Sequence, residues 1–195
     1  MKIEKTITYF SEPGKENTRD CAEIAVQRAK DLGLSTIVVA STGGYTARIF
    51  FEAMKGTNLR LVVVAHAVGF FKPGVWEFDP DLAEELRAAG VTIVCGTHSL
   101  SGLERAISRN PRLGGSSRTE AIAEAFRRTV AIGMKVAVEC VLIAADQGVI
   151  SVSDEVIAVG GTIEGADTAV VIKPAHTAAF FDLQVREFVA MPRNR

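Results

Sequence analysis

Five short β-branched runs alternate with helical patterns along the chain, and this alternation restricts the fold more than any other feature. The runs are Thr36 to Ala40, Leu61 to Ala65, Val91 to Cys95, Glu155 to Gly160 and Ala169 to Ile172. Strands separated by helix-length segments predict βαβ units with right-handed crossovers and a mostly parallel sheet covered on both faces, an α/β fold. An apolar content of 48% with only 7% aromatics fits strands buried on both sides and excludes disorder. At 195 residues the chain is expected to form a single domain over residues 1–195. No repeat or low-complexity tract divides it.

Helix boundaries are marked by their end signals. An Asn17 or Thr18 cap opens a first helix that Gly33 closes, and a second fits Gly44 to Lys55. Asp79 followed by Pro80 opens a third, with Leu82 and Leu86 inward and Gly90 at its exit. A glycine-rich passage from Arg109 to Ser117 leads to Ser117-Arg118-Thr119-Glu120, a capping box that opens a long helix. That helix either continues or restarts as the apolar stretch Val136 to Ala145. Leu183 to Ala190 reads as an edge strand.

Charge is balanced, 22 Lys plus Arg against 23 Asp plus Glu. Counterion-release binding to nucleic acid needs a cationic face that such a composition does not predict, so no nucleic-acid partner is expected. No membrane partner is expected either: the greasiest stretches are short, and Leu61 to Phe71 holds His66 while Val136 to Ala145 holds Glu139. The amino terminus lacks a signal-peptide pattern. Cys21, Cys95 and Cys140 are widely spaced and odd in number, which fits neither a disulfide framework nor a zinc site. A cytoplasmic protein without a bound metal is expected. Cys95, at the end of a strand, reads as a buried core thiol and not as a nucleophile.

The segment with most chemical content is Thr36-Ile-Val-Val-Ala-Ser-Thr-Gly-Gly-Tyr-Thr-Ala47, a buried strand that opens through hydroxyls and glycines into a helix. Unpaired amides at a helix start attract an anion, Gly43 and Gly44 allow close backbone approach, and Ser41, Thr42 and Thr46 add hydroxyl donors. Tyr45 and Ala47 complete the turn. It is neither a Walker A loop nor a dinucleotide fingerprint. Read locally, the same residues also suit simple helix capping, and both readings stay open.

In parallel sheets ligands sit outside the carboxyl ends of the strands. The segments expected there supply Gly69, Phe70, Phe71 and Trp76 as an aromatic wall, Thr97 and Ser99 as hydroxyls, and Gly160, Gly161 and Thr162 as a second close-approach turn. His66 and His98 follow consecutive strands and are the candidates for an acid or base, while His176 falls later. Glu139 reads as an exposed carboxylate paired with Lys135 one turn away.

The run ASTGGYTA after a Val-Val strand resembles the phosphate-holding loop of the C-terminal domain of pyruvate kinases. The segments YFSEPGKENT, GVWEFD, THSLSGLERAISR, GGTIEGADTAVVIKPA and FFDLQVREFVA extend the resemblance to free-standing members of this pyruvate kinase C-terminal-domain-like group. The resemblance implies a three-layer αβα domain with a mostly parallel sheet, and a phosphate-bearing small molecule, specifically flavin mononucleotide (FMN), as its ligand. It implies no kinase chemistry, because no catalytic barrel accompanies the domain. Two other functions stay open at this level: a flavin-dependent or phosphate-transferring enzyme using His66 or His98, and an effector-binding regulatory or assembly subunit; association into a homo-oligomer stays open as well.

Overall fold

The computed structural model describes residues 2–194. Seven strands form one sheet: β1 (Thr8–Phe10), β2 (Thr36–Ala40), β3 (Arg60–Ala65), β4 (Thr92–Cys95), β5 (Val156–Gly160), β6 (Thr168–Lys173) and β7 (Gln184–Pro192). Their order is β1-β7-β6-β5-β2-β3-β4, and only β6 runs against its neighbours. Among the described residues six α-helices accompany the strands: α1 (Thr18–Leu32), α2 (Tyr45–Ala53), α3 (Pro80–Ala88), α4 (Gly102–Ser108), α5 (Arg118–Thr129) and α6 (Ile132–Asp146).

Side chains alternate across each strand and so separate two cores. Ile37, Val39, Val63 and Val159 meet Cys21, Ala25 and Val26 of α1, Phe50 of α2, and Leu82 and Leu86 of α3. Val38, Val62, Val64 and Ala158 face the other way, onto Val138, Val141, Leu142 and Ala145 of α6 and Ala123 of α5. The result is the expected three layers, with α6 as the most enclosed helix of the molecule.

Boundary signals act much as the sequence indicates. Asp79 Oδ1 accepts from the amides of Asp81 (3.0 Å) and Leu82 (3.1 Å). Ser117 Oγ accepts from Glu120 N at 3.1 Å, one half of a capping box. Gly33 closes α1 in the left-handed region, φ 66°. The long helical region restarts: Val130 ends α5 at φ −119°, ψ −82°, and α6 begins afresh.

Two expectations are corrected. Leu183 to Ala190 is no edge strand, since β7 lies inside the sheet between β6 and β1. The edge on that side is the amino-terminal β1, three residues too short to show an alternation. Cys95 is exposed and not a core thiol, because β4 is the opposite edge and its last residue leaves the cover of the helices. No helix among the described residues is long and apolar enough to cross a membrane.

The chain runs from β2 through β3 to β4 on one side and returns to β5 on the other side of β2. The β2/β5 boundary is therefore a topological switch point, where connections leave in opposite directions and a crevice forms beyond the carboxyl ends.

Candidate functional site

On the β5 side of the switch point, backbone fills the crevice. A Cβ on Gly160 would stand 2.3 Å from the Gly133 carbonyl oxygen at the start of α6, and one on Gly161 would stand 2.3 Å from the Gly165 carbonyl oxygen. Both glycines thus let chain segments touch each other. Asp167, wholly buried, fixes this corner by accepting from Gly14 N (3.1 Å), Thr162 N (3.1 Å) and Thr168 Oγ1 (2.8 Å). Thr162 lines a cavity of about 440 Å³ at the α5–α6 junction.

Open space lies on the other side, beyond β2, β3 and β4. An inner chamber of about 170 Å³ is lined by Ser41 and Thr42 after β2, His66 and Phe70 after β3, His98 after β4, and Lys135, Glu139 and Cys140 of α6. Arg105 of α4 and Arg127 of α5 complete its wall. Phe70, His98 and Arg105 also border an outer groove of about 660 Å³ that includes Gly69, Phe71, Thr97 and Arg109. The chamber and groove therefore adjoin.

The β2–α2 turn divides between the two faces of the sheet. Ser41 and Thr42 face the chamber, while Gly44, at φ 107°, packs toward α3, where a Cβ would stand 2.4 Å from Leu82 Cδ2. Ser41 Oγ accepts from Ala47 N at 3.2 Å, and Ser41 N donates to the Val64 carbonyl at 3.0 Å. Ser41 is consequently a capping residue as well as a lining one. The first helical hydrogen bond of α2 is Arg48 N to Gly44 O, so the amides just before it have no carbonyl one turn back. Thr46 and Ala47 are buried, and the exposed Tyr45 ring lies 4.2 Å beneath Lys15 Nζ, which also pairs with Glu164 at 2.7 Å.

The aromatic wall also divides. Phe70 stacks on the His98 ring at 4.7 Å and meets His66 at 4.0 Å, while Phe71, 68% exposed, stands edge-on to Phe70. Trp76 instead stacks on Phe78 at 5.3 Å and packs against the first core. It takes no part in the chamber. Ser99 contacts the Thr177 hydroxyl at 3.4 Å. His176 pairs with Asp146 at 3.4 Å, on the surface.

At the floor of the chamber Lys135 and Glu139 form an ion pair that is nearly inaccessible, with residue exposures of 3% and 4%. The expectation of an exposed pair is overturned: α6 is apolar on all sides, so a turn-spaced pair on it has no solvent face to occupy. Glu139 Oε1 also accepts from Leu100 N (2.8 Å) and Ser101 Oγ (3.3 Å), and its Oε2 stands 3.2 Å from His98 Nδ1. Burial alone raises a carboxyl pKa, but His98 and Lys135 outweigh it and hold Glu139 at about 2. Burial lowers Lys135, with Glu139 opposing. Burial and the neighbouring His98 push His66 down to about 4, which leaves it neutral near pH 7, and its Nδ1 is buried without a partner. Arg105 is held by Glu120 at 3.7 Å and Arg127 by Glu124.

Of the residues the sequence singled out as a site, the structure brings Ser41, Thr42, His66, Phe70 and His98 to one chamber, which Lys135, Glu139, Arg105 and Arg127, not among them, also line. Two charges four residues apart within an unbroken apolar helix were the available signal. The arginines had none, since their place depends on how α4 and α5 fold back over α6. No group of three or more His, Cys, Asp or Glu side chains among the described residues could hold a metal ion.

This architecture belongs to a recognised class. The family model for the pyruvate kinase alpha/beta domain matches residues 19–172, and the chain belongs to that family. Among solved structures it is similar to Cryptosporidium parvum pyruvate kinase, with 16% identity, TM-score 0.41, and coverage of 81% of this chain and 22% of that one. The same enzyme in complex with ADP matches at 16% identity and TM-score 0.40, covering 97% and 25%. A SAH-bound Podospora anserina methyltransferase matches at 13% identity and TM-score 0.29, covering 68% and 49%. The chain spans about a quarter of the pyruvate kinase chains it matches.

Proposed function

We propose that this chain binds a phosphorylated small molecule whose phosphate enters the inner chamber and whose remaining part lies in the outer groove. The observation that carries this reading is the chamber's charge: Lys135, Arg105 and Arg127 line it with a single carboxylate, Glu139. The Ser41 and Thr42 hydroxyls add donors of the kind that anions select. A volume of about 170 Å³ suits a phosphate and little more, so the larger part of a ligand belongs outside, along Phe70 and Phe71.

FMN is the specific ligand we assign, because it joins one phosphate to a flat ring that the two phenylalanines can cover. Three free cysteines accord with a cytoplasmic setting. Fluorescence titration with FMN and with riboflavin tests the reading. FMN is expected to bind at least roughly tenfold more tightly, equivalent to about 1.4 kcal/mol from the phosphate. Equal affinities would remove the phosphate from the account, and binding of neither would remove the flavin.

A further inference from the structure

His98 is fixed in a way that simple ligand binding does not require. Phe70 covers one face of its ring with an interplanar angle of 19°, and Glu139 faces Nδ1 at 3.2 Å. The carboxylate is itself anchored from three sides by Leu100 N, Ser101 Oγ and Lys135 Nζ. A carboxylate at Nδ1 assigns the ring proton to that nitrogen and leaves the lone pair on Nε2. No hydrogen bond is made by Nε2 among the described residues, and the ring lines both the chamber and the groove. An oriented imidazole thus borders a chamber walled by Lys135, Arg105 and Arg127, side chains suited to the oxygens of a phosphoryl group.

The geometry points to phosphoryl transfer in the inner chamber, with His98 Nε2 as nucleophile, Glu139 as its positioning residue and a phosphomonoester or phosphoramidate as donor. This rests on the phosphate-binding reading above. In the first step Nε2 bonds to phosphorus as the bond from phosphorus to the leaving oxygen breaks. The leaving oxygen keeps that electron pair and takes a proton from solvent in the open groove. The Nδ1 proton stays against Glu139, which offsets the charge on the phosphorylated ring. Water then attacks phosphorus, the pair of the breaking P–N bond returns to Nε2, and orthophosphate leaves with the proton balance made up by solvent. The sum is monoester plus water giving alcohol plus orthophosphate. His66 does not take the nucleophile's part: its Nδ1 is buried without a carboxylate to orient it.

Phosphoramidate is a donor small enough for the chamber, and there ammonia replaces the leaving alcohol. Intact-mass measurement after incubation is expected to show one added phosphoryl group, labile in acid and stable in alkali. His98→Gln abolishes it, and His176→Gln, on the surface beside Asp146, keeps it. Glu139→Gln slows its formation by at least about tenfold, as loss of an orienting carboxylate does for a catalytic imidazole, and Glu139→Asp restores part of the rate. Phosphorus NMR titration with inorganic phosphate on the same samples separates the two claims. Phosphate binding without an adduct, or an adduct that survives His98→Gln, overturns the nucleophile assignment and leaves the ligand reading intact. Absence of phosphate binding overturns both.

Discussion

The two faces of the sheet are built from the same strands and differ in what they enclose. Against α1, α2 and α3 the sheet buries Phe50, Phe78, Leu82 and Leu86 in a mostly apolar layer, beside the hydroxyls of Thr18 and Thr46. Against α6 it buries an ion pair, with two histidines beside it. Desolvating charge costs several kcal/mol per ion, about the amount that an apolar core residue supplies, so the second face bears a cost that packing alone does not repay. Under the proposed function, the contrast gives stability to one face and chemistry to the other. The β2–α2 turn joins them, with Ser41 and Thr42 on the chemical side and Gly44 on the packing side.

The largest expected effects come one from each face. Phe50→Ala removes a fully buried ring and is expected to cost about 3–5 kcal/mol in urea unfolding, with phosphate affinity of the folded protein unchanged. Glu139→Gln leaves Lys135 buried without its carboxylate and is expected to cost a similar amount, about 3–5 kcal/mol. The faces then diverge, because Lys135→Met combined with Glu139→Leu is expected to recover most of the stability and none of the anion binding. If the double variant still bound phosphate, the division of labour would be wrong.

Acidification should strike the chemical face first, in two stages. His66 sits at about 4 against an ordinary 6.5, so unfolding takes up a proton between those values and stability falls as pH drops through that window. Glu139 sits at about 2 against 4.5, so its contribution is complete above 4.5 and is lost as pH falls toward 2. Thermal midpoints measured across the acid range are expected to show both legs, and His66→Gln to remove the upper one alone.

Smaller effects lie at the seam and on the packing face. Gly44→Ala places a side chain at φ 107° and against Leu82, with an expected cost of about 1–3 kcal/mol. Asp79→Ala removes the α3 cap for about 1 kcal/mol. Chemical denaturation checks both, and neither should alter His98.

The packing face was legible in the sequence nearly residue by residue, because caps and strand periodicity are local signals: Asp79-Pro80, Gly33 and the Thr36 to Ala40 strand fall where their patterns place them. The chemical face was legible only where a residue directly follows a strand, as with Ser41, His66 and His98. Lys135 and Glu139 were read as a surface pair because i, i+4 spacing is the same on exposed and buried helices, and only the enclosure of α6 distinguishes them. Trp76 and Gly161 were legible as loop residues and Gly160 as a strand end, but which way a loop side chain turns, or which backbone a glycine admits, is decided by tertiary contacts with Phe78, Gly133 and Gly165.

Calorimetric titration with inorganic phosphate, comparing the native chain with Arg105→Ala/Arg127→Ala, tests the charged chamber most directly. The account predicts saturable heat for the native protein, weakened at least roughly tenfold in the variant, where about 1.4 kcal/mol or more of charge-assisted contact is gone. Heat that is absent from the native protein, or equal in the two, would contradict it.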